Sequence, residues 1–133
     1  MLLKISDDPK HKRRARLLAI LWTLLIFFLC FLPSGDVPEV RLPLIDKWAH
    51  FILFAVFAYL WLLSIKGFKP VHLLIVFLAS VILGWVVEWI QGSLTFLGRS
   101  QDNMDTLADA LGGLIGTVLF FIVYSLRATK LSK

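Results

Sequence analysis

The sequence has little charge and a single cysteine, and both shortages narrow the class of protein. Charged side chains make up 17% of the 133 residues, whereas hydrophobic ones make up 59%, and the mean hydropathy is +0.82. A chain this poor in charge is suited to lipid rather than to water, which excludes an ordinary soluble domain. Because Cys30 is the only cysteine, an intramolecular disulfide is excluded as well.

Familiar catalytic and targeting motifs are also missing. The sequence contains no nucleophile elbow, no phosphate-binding P-loop and no HExxH zinc motif, so none of those enzyme classes is indicated. No Ala-x-Ala precedes Pro33, and bulky Leu29 stands where a lipoprotein cleavage site needs a small residue. We therefore expect the first apolar stretch to be a retained helix and not a signal peptide.

Long apolar stretches are what the sequence has in abundance. Four of them approach or reach the roughly 20 residues that a helix needs to cross about 30 Å of hydrocarbon. Pro33 with Gly35 ends the first stretch, and Gly67 with Pro70 separates the second from the third. We predict an all-α integral membrane bundle, one membrane domain over residues 1–133, with transmembrane helices at about 15–32, 48–65, 71–91 and 104–126.

Basic residues are distributed unevenly between the two sides that this topology creates. Eleven of the 14 Lys and Arg residues fall on the side that holds both chain ends and the turn between the second and third helices. The positive-inside rule makes that side cytoplasmic, so both termini are predicted to be cytoplasmic. Basic residues confined to membrane flanks favour contact with anionic lipid and argue against nucleic-acid binding.

The opposite side carries seven of the nine acidic residues and only Arg41, Lys47 and Arg99 of the basic ones. An ionisable group at the centre of a membrane helix costs at least about 2.5–3.5 kcal/mol, so it is seldom retained without a partner or a task. The i, i+4 spacing of Asp46 and His50 favours an arrangement in which this carboxylate orients the imidazole. The polar residues form three groups near helix ends: Asp46, Lys47 and His50; Glu88 and Gln91; and Arg99, Asp102, Asp105 and Asp109.

Small residues lie on the same helix faces as two of these polar groups. They recur at a spacing of four on the last helix, and one lies a turn before Glu88 on the third helix. Such small-xxx-small rows allow another helix to approach closely, which would turn the polar groups toward the bundle interior. The predicted helix-packing residues are Gly84, Ala108, Gly112 and Gly116.

Each polar group also has a purely structural interpretation. Asp46, Asp102 and Asp105 are placed to cap helix starts, where carboxylates accept bonds from free backbone N–H groups. Glu88 lies too deep for capping, and its alternative is an interhelical hydrogen bond made as a neutral acid. His50 is alternatively a packing residue or an interface anchor.

The order and spacing of these residues resemble the VanZ-like membrane proteins. The matching pattern, over residues 46–116, is Asp46-Lys47-x-x-His50-Phe51, then Gly84-x-x-x-Glu88-x-x-Gln91, then Arg99-Ser100-x-x-x-x-Asp105 with Asp109 and Gly112 after it. Asp109 departs from many relatives, which have Asn there, by adding a carboxylate. The family is named for an accessory protein associated with low-level teicoplanin resistance. The resemblance therefore implies a bacterial inner-membrane protein of the cell envelope, with antibiotic resistance as one option, and it implies no particular reaction.

A binding module is the first function that fits these residues. Its polar pocket would open on the extracytoplasmic side and hold an envelope lipid headgroup or an amphiphilic, glycopeptide-type antibiotic. Lys47 and Arg99 would contact a phosphate or carboxylate of that ligand. The predicted ligand-binding residues are Asp46, Lys47, His50, Glu88, Gln91, Arg99, Asp105 and Asp109.

A membrane enzyme that uses acid/base or metal chemistry on a lipid-linked phosphate is the alternative. Its catalytic candidates are His50, Glu88, Asp105 and Asp109. No organic cofactor is predicted, but the last three residues could hold a divalent cation, and their oxygen atoms favour Mg²⁺ or Mn²⁺ over zinc. A proton pathway is the weakest interpretation, because the polar groups cluster at one end of the helices. The oligomeric state stays open.

Overall fold

The computed structural model describes residues 7–36 and 43–131, and every regular element in these two ranges is helical. The predicted all-α class is therefore confirmed. Single 3₁₀ turns follow the first and third α-helices, at Ser34–Asp36 and Thr95–Leu97. Lys4, Arg41 and Lys133, which contributed to the assignment of sides, lie outside the described residues. The four α-helices are α1 (Pro9–Cys30), α2 (Ile45–Ser64), α3 (Val71–Ser93) and α4 (Asn103–Leu131).

Three of these helices are long and apolar enough to cross a membrane, over Ile45–Ser64, Val71–Ser93 and Asn103–Thr129. α1 has 22 residues, but its basic residues extend as far as Arg16. The uncharged remainder, residues 17–30, covers only about 21 Å at 1.5 Å per residue, less than the roughly 30 Å of hydrocarbon. The fourth predicted span therefore does not follow from the length and composition of α1.

α1 begins at a cap rather than at the edge of its apolar stretch. Asp8 Oδ1 accepts a hydrogen bond from the backbone N–H of Lys10 at 2.9 Å, and Pro9 occupies the first helical position. α1 consequently starts well before the apolar stretch predicted from residue 15. Hydropathy marks where charge ends, whereas a cap marks where the backbone turns into a helix.

Capping also distinguishes the carboxylates at the starts of α2 and α4. Asp102 Oδ1 accepts from the backbone N–H of Met104 at 2.8 Å, so Asp102 caps the start of α4. At the start of α2 the cap position is Leu44, which makes no side-chain capping bond. Asp46 lies inside the first turn of α2, where its charge complements the helix dipole.

α2 and α4 run parallel and approach each other closely. Gly112 lies against the backbone carbonyl of Phe51, and one turn later Gly116 lies against that of Ala55. A Cβ atom at either glycine would overlap the carbonyl oxygen, so only a residue without a side chain permits this separation. The starts of α2 and α4 therefore lie at the same end of the bundle as the end of α3.

Apolar side chains fill the interior and also cover the outside. Among the exposed residues, Phe28 is 62% and Ile82 is 61% accessible. An outer surface of this kind is suited to lipid contact. The interior holds two apolar clusters, one of Ile26, Cys30, Phe54, Phe57 and Val87 and one of Ala58, Leu62, Val76 and Phe120.

Candidate functional site

Polar side chains converge at the end of the bundle where α2 and α4 begin and α3 finishes. Because α2 and α4 are parallel and α3 is antiparallel to them, residues far apart in the sequence lie at the same height along the bundle axis. The site brings together Asp46, Lys47, His50, Glu88, Asp102, Asp105 and Asp109.

Lys47 is the hub of the outer part of the site. Its Nζ atom lies 2.5 Å from Asp102 Oδ2, 2.5 Å from Asp105 Oδ1 and 2.8 Å from Asp46 Oδ2. The hydrogen bond from Lys47 holds the pKa of Asp102 below its usual range. The predicted contact of Lys47 with a phosphate or carboxylate of a ligand stays a prediction; in the structure its ammonium group faces three carboxylates of the protein.

His50 is buried and is held by Asp109. Its Nδ1 atom lies 2.9 Å from Asp109 Oδ1, while its Nε2 atom faces Asp105 Oδ2 at 3.7 Å. The spacing in the sequence favoured Asp46 as the group that orients the imidazole. That interpretation is not what the structure shows, because the Asp46 side chain is 59% exposed and turns to Lys47.

Glu88 lies at the floor of the site and is fully buried. Its Oε2 atom accepts a hydrogen bond from the backbone N–H of Asp102 at 3.0 Å. Among the described residues, Glu88 Oε1 and Asp109 Oδ2 are buried oxygens without a hydrogen-bond partner. A buried acceptor without a partner costs about 1–3 kcal/mol, and more if it is charged, so a further group is expected here.

The small residues of α3 and α4 make room for this arrangement. A Cβ atom at Gly84 would lie 2.7 Å from both Cβ and Oδ2 of Asp109, so Gly84 provides the space that the carboxylate occupies. Gly113, which sequence reasoning missed, lies against Ser80 Oγ on α3. The adjacent glycines at positions 112 and 113 were the sequence feature that could have indicated this second contact, since one glycine faces α2 and the other faces α3. Ala108 is buried on α4.

Gln91 and Arg99 were predicted to bind a ligand, and the structure places both against the end of α1. Gln91 Nε2 donates to the Cys30 carbonyl at 2.5 Å. Arg99 Nε donates to the Leu32 carbonyl at 2.7 Å, and its Nη2 lies 3.4 Å from the carbonyl of Leu29. Carbonyl groups at a helix end lack partners within the helix, and these two side chains supply them.

Carboxyl groups outnumber basic groups in the site, so the site is anionic when they are ionised. The carboxylates of Asp46, Glu88, Asp102, Asp105 and Asp109 surround one ammonium group and one imidazole. Two triads could hold a metal ion, each with ligand atoms within 4.8 Å of one another: His50, Glu88 and Asp105, and Asp46, Asp102 and Asp105. The sequence suggested Glu88, Asp105 and Asp109, whereas Asp109 is bonded to the imidazole.

An apolar cavity of about 400 Å³ lies elsewhere in the bundle, between α1, α2 and α3. It contains none of the predicted site residues. Its walls are Thr23, Phe57, Trp61, Ile65, Ile75, Val76, Ala79 and Leu83.

No family model, no curated protein and no solved structure matches the chain significantly. The VanZ-like assignment therefore depends on the order and spacing of the motif residues, and it stays a prediction. The site is a carboxylate-rich cluster with a buried histidine, exposed at its outer edge, at one end of a helical membrane bundle.

Proposed function

We propose that this chain is a VanZ-like protein of the bacterial inner membrane with four spans, both termini cytoplasmic and its site on the extracytoplasmic side. Arg14 and Arg16 would extend α1 to the headgroups, because long basic side chains reach outward along a helix. Lys66 and Lys69 follow α2 at the end opposite to the site, as the positive-inside rule requires.

The site, in this proposal, binds the polar headgroup of an envelope lipid or of an amphiphilic, glycopeptide-type antibiotic. The observation that carries this is the pair of buried carboxylate oxygens, on Glu88 and Asp109, that lack a partner. They lie at the end of the bundle where α2 begins, and the side chains of Asp46 and Trp48 in the first turn of α2 are exposed. A donor group of a bound headgroup, or a cation held together with it, would supply the partners that these oxygens lack.

The charges of the site limit which part of a headgroup enters it. Lys47 already bonds carboxylates of the protein, so its charge is neutralised, whereas Arg99 bonds only neutral carbonyl oxygens outside this carboxylate cluster. Groups that contact the carboxylates directly are therefore hydroxyls, amides or amines, which donate hydrogen bonds. A phosphate fits only if a cation lies between it and the carboxylates.

Lipid retention tests this proposal. The full chain is purified in mild detergent, and copurified lipids are identified by mass spectrometry for wild type, Glu88→Gln and Asp105→Asn, with Asp36→Asn as the control. Asp36 is an exposed carboxylate in the turn after α1, so the same chemical change there should leave retention intact. We expect one lipid class to be depleted in both site variants at unchanged unfolding temperature. Identical lipid profiles in all four proteins would rule the proposal out.

An acid/base enzyme acting on a lipid-linked phosphate is the second candidate, and the His50–Asp109 pair favours it. An ionised Asp109 accepts a hydrogen bond from the N–H group at Nδ1, 2.9 Å away, which leaves Nε2 as the basic nitrogen. Reconstituted wild type would then release phosphate from a polyprenyl diphosphate, and His50→Gln would abolish the release while Asp36→Asn would not. Wild type without turnover would exclude this candidate.

A further inference from the structure

We infer that His50, Glu88 and Asp105 form a binding site for a divalent metal ion. The inference uses the same site as the proposed headgroup function and deepens it, since a metal ion is the means by which this anionic site would hold a phosphate. Metal binding itself needs no lipid, so the two claims can be tested separately.

Each of the three residues has one polar atom anchored by the protein. Nδ1 of His50 is paired with Asp109 at 2.9 Å, and Oε2 of Glu88 accepts from the backbone N–H of Asp102 at 3.0 Å. Oδ1 of Asp105 accepts from Lys47 Nζ at 2.5 Å. These bonds hold each side chain in one orientation, as outer hydrogen bonds do around metal ligands.

The three residues also bring polar atoms close together around the imidazole ring. Nε2 of His50 lies 3.7 Å from Oδ2 of Asp105, and Oε1 of Glu88 lies 4.0 Å from Nδ1 on the other side of the same ring. Metal–ligand bonds of about 2.0–2.2 Å separate neighbouring ligands by roughly 3.0–3.5 Å. The three residues offer atoms within 4.8 Å of one another, so small side-chain rotations are enough to coordinate an ion.

The burial of Glu88 and the missing hydrogen-bond partner of its Oε1 atom distinguish this site from an ordinary acidic cluster. Glu88 is fully buried, and its Oε1 atom has no hydrogen-bond partner among the described residues. The nearby cation, Lys47, is bonded to Asp46, Asp102 and Asp105, and His50 Nδ1 lies 2.9 Å from Asp109 Oδ1. A metal ion bound between the three residues would satisfy this oxygen and offset its charge.

The chemistry of the three ligands indicates which ion is best suited to a binding test. Two carboxylates suit hard ions such as Mg²⁺ and Mn²⁺, whereas an imidazole suits transition metals, and Mn²⁺ satisfies both. Three protein ligands leave positions open on an ion of six-coordinate preference. Phosphate oxygens of a headgroup would occupy those positions, which gives an anionic ligand access to an anionic site.

Titration with Mn²⁺ alone tests the inference. The full chain in detergent is stripped with a chelator, and Mn²⁺ binding is followed by electron paramagnetic resonance, with Mg²⁺ and Zn²⁺ as competitors. We expect one ion per chain in wild type and in Asp36→Asn, and at least a tenfold weaker affinity in Glu88→Gln and His50→Gln. Asp109→Asn should weaken binding less than His50→Gln, because an amide oxygen can still accept from Nδ1. Thermal unfolding of each apo variant verifies that it is folded.

Three results would overturn the inference. The first is a folded wild type that binds no Mn²⁺. The second is unaltered affinity in a folded Glu88→Gln, which would indicate that Glu88 is simply a buried neutral acid. The third is loss of binding in Asp46→Asn with full binding in Glu88→Gln, which would place the ion among Asp46, Asp102 and Asp105. Lipid analysis of the same samples tests the two claims separately. Mn²⁺ binding without a retained lipid class would overturn only the headgroup proposal. A retained lipid class without Mn²⁺ binding would overturn only the metal-site inference.

Discussion

Replacing Gly112 with alanine is expected to destabilise the bundle by separating α2 from α4. A Cβ atom at position 112 would overlap the carbonyl oxygen of Phe51 and lie 2.9 Å from the carbonyl carbon. These atoms belong to the backbone of a packed helix, so no side-chain rotation relieves the overlap. The whole of α2 must move, and tightly packed interiors resist such movement.

Two opposing contributions determine the size of the effect. Alanine in place of glycine inside a helix stabilises the helix by about 1 kcal/mol. Inserting a methyl group into a packed interface costs about 1–3 kcal/mol, and contact with backbone atoms places this case at the upper end. We expect a net loss of about 1–2 kcal/mol in the free energy of unfolding. In Gly112→Ala/Gly116→Ala one displacement of α2 relieves both overlaps, so the loss is smaller than the sum.

The same displacement reaches the site. His50 precedes Phe51 in α2, and Asp109 lies about one turn before Gly112 in α4, so the 2.9 Å contact between His50 Nδ1 and Asp109 Oδ1 should lengthen. The Mn²⁺ affinity of Gly112→Ala should therefore fall together with its stability. Gly116 is a turn further away, so Gly116→Ala should lose stability with a smaller change in affinity.

Denaturant titration in detergent, followed by tryptophan fluorescence, measures the free energy of unfolding for these variants. Gly35→Ala is the matched control, because a Cβ atom there has no other atom within 4 Å. If Gly112→Ala is as stable as Gly35→Ala, α2 and α4 do not meet at these glycines and the packing argument is refuted.

Two further predictions concern hydrogen bonds of the site. Lys47→Met should raise the pKa of Asp102 toward its usual value. Since the folded-state pKa of Asp102 is lowered, its contribution to stability is present above the usual value of 3.8 and is lost as pH falls through the lower folded value. Unfolding temperatures between pH 6 and 3 should thus fall more steeply for wild type than for Lys47→Met, and parallel curves would contradict this. Gln91→Ala should cost about 1–3 kcal/mol in unfolding free energy, because it leaves the carbonyl of Cys30 without its donor. Reduced lipid retention at full stability would instead support Gln91 as a ligand residue.

Much of the architecture was accessible from the sequence because it depends on local properties. Apolar stretches of near-spanning length identified all four helices, and their alternation placed the polar ends of α2, α3 and α4 together. The start of α1 was missed by several residues, since it is determined by the Asp8 cap and Pro9 within a charged segment. A fourth span at α1 stays a prediction, because the basic residues of this helix extend to Arg16 and shorten its uncharged part.

The pairing of individual side chains could not be predicted in the same way. The sequence by itself determined the membrane class and the set of polar residues, because hydropathy and spacing along one helix are local. Only the tertiary structure decided that Asp109 and not Asp46 holds His50, that Lys47 faces three carboxylates, and that Gln91 supports α1. His50 and Asp109 are 59 residues apart, and Gln91 and Cys30 are 61 apart. Contacts between residues this far apart in the sequence depend on the rotation and separation of whole helices, which the periodicity of a single helix does not specify.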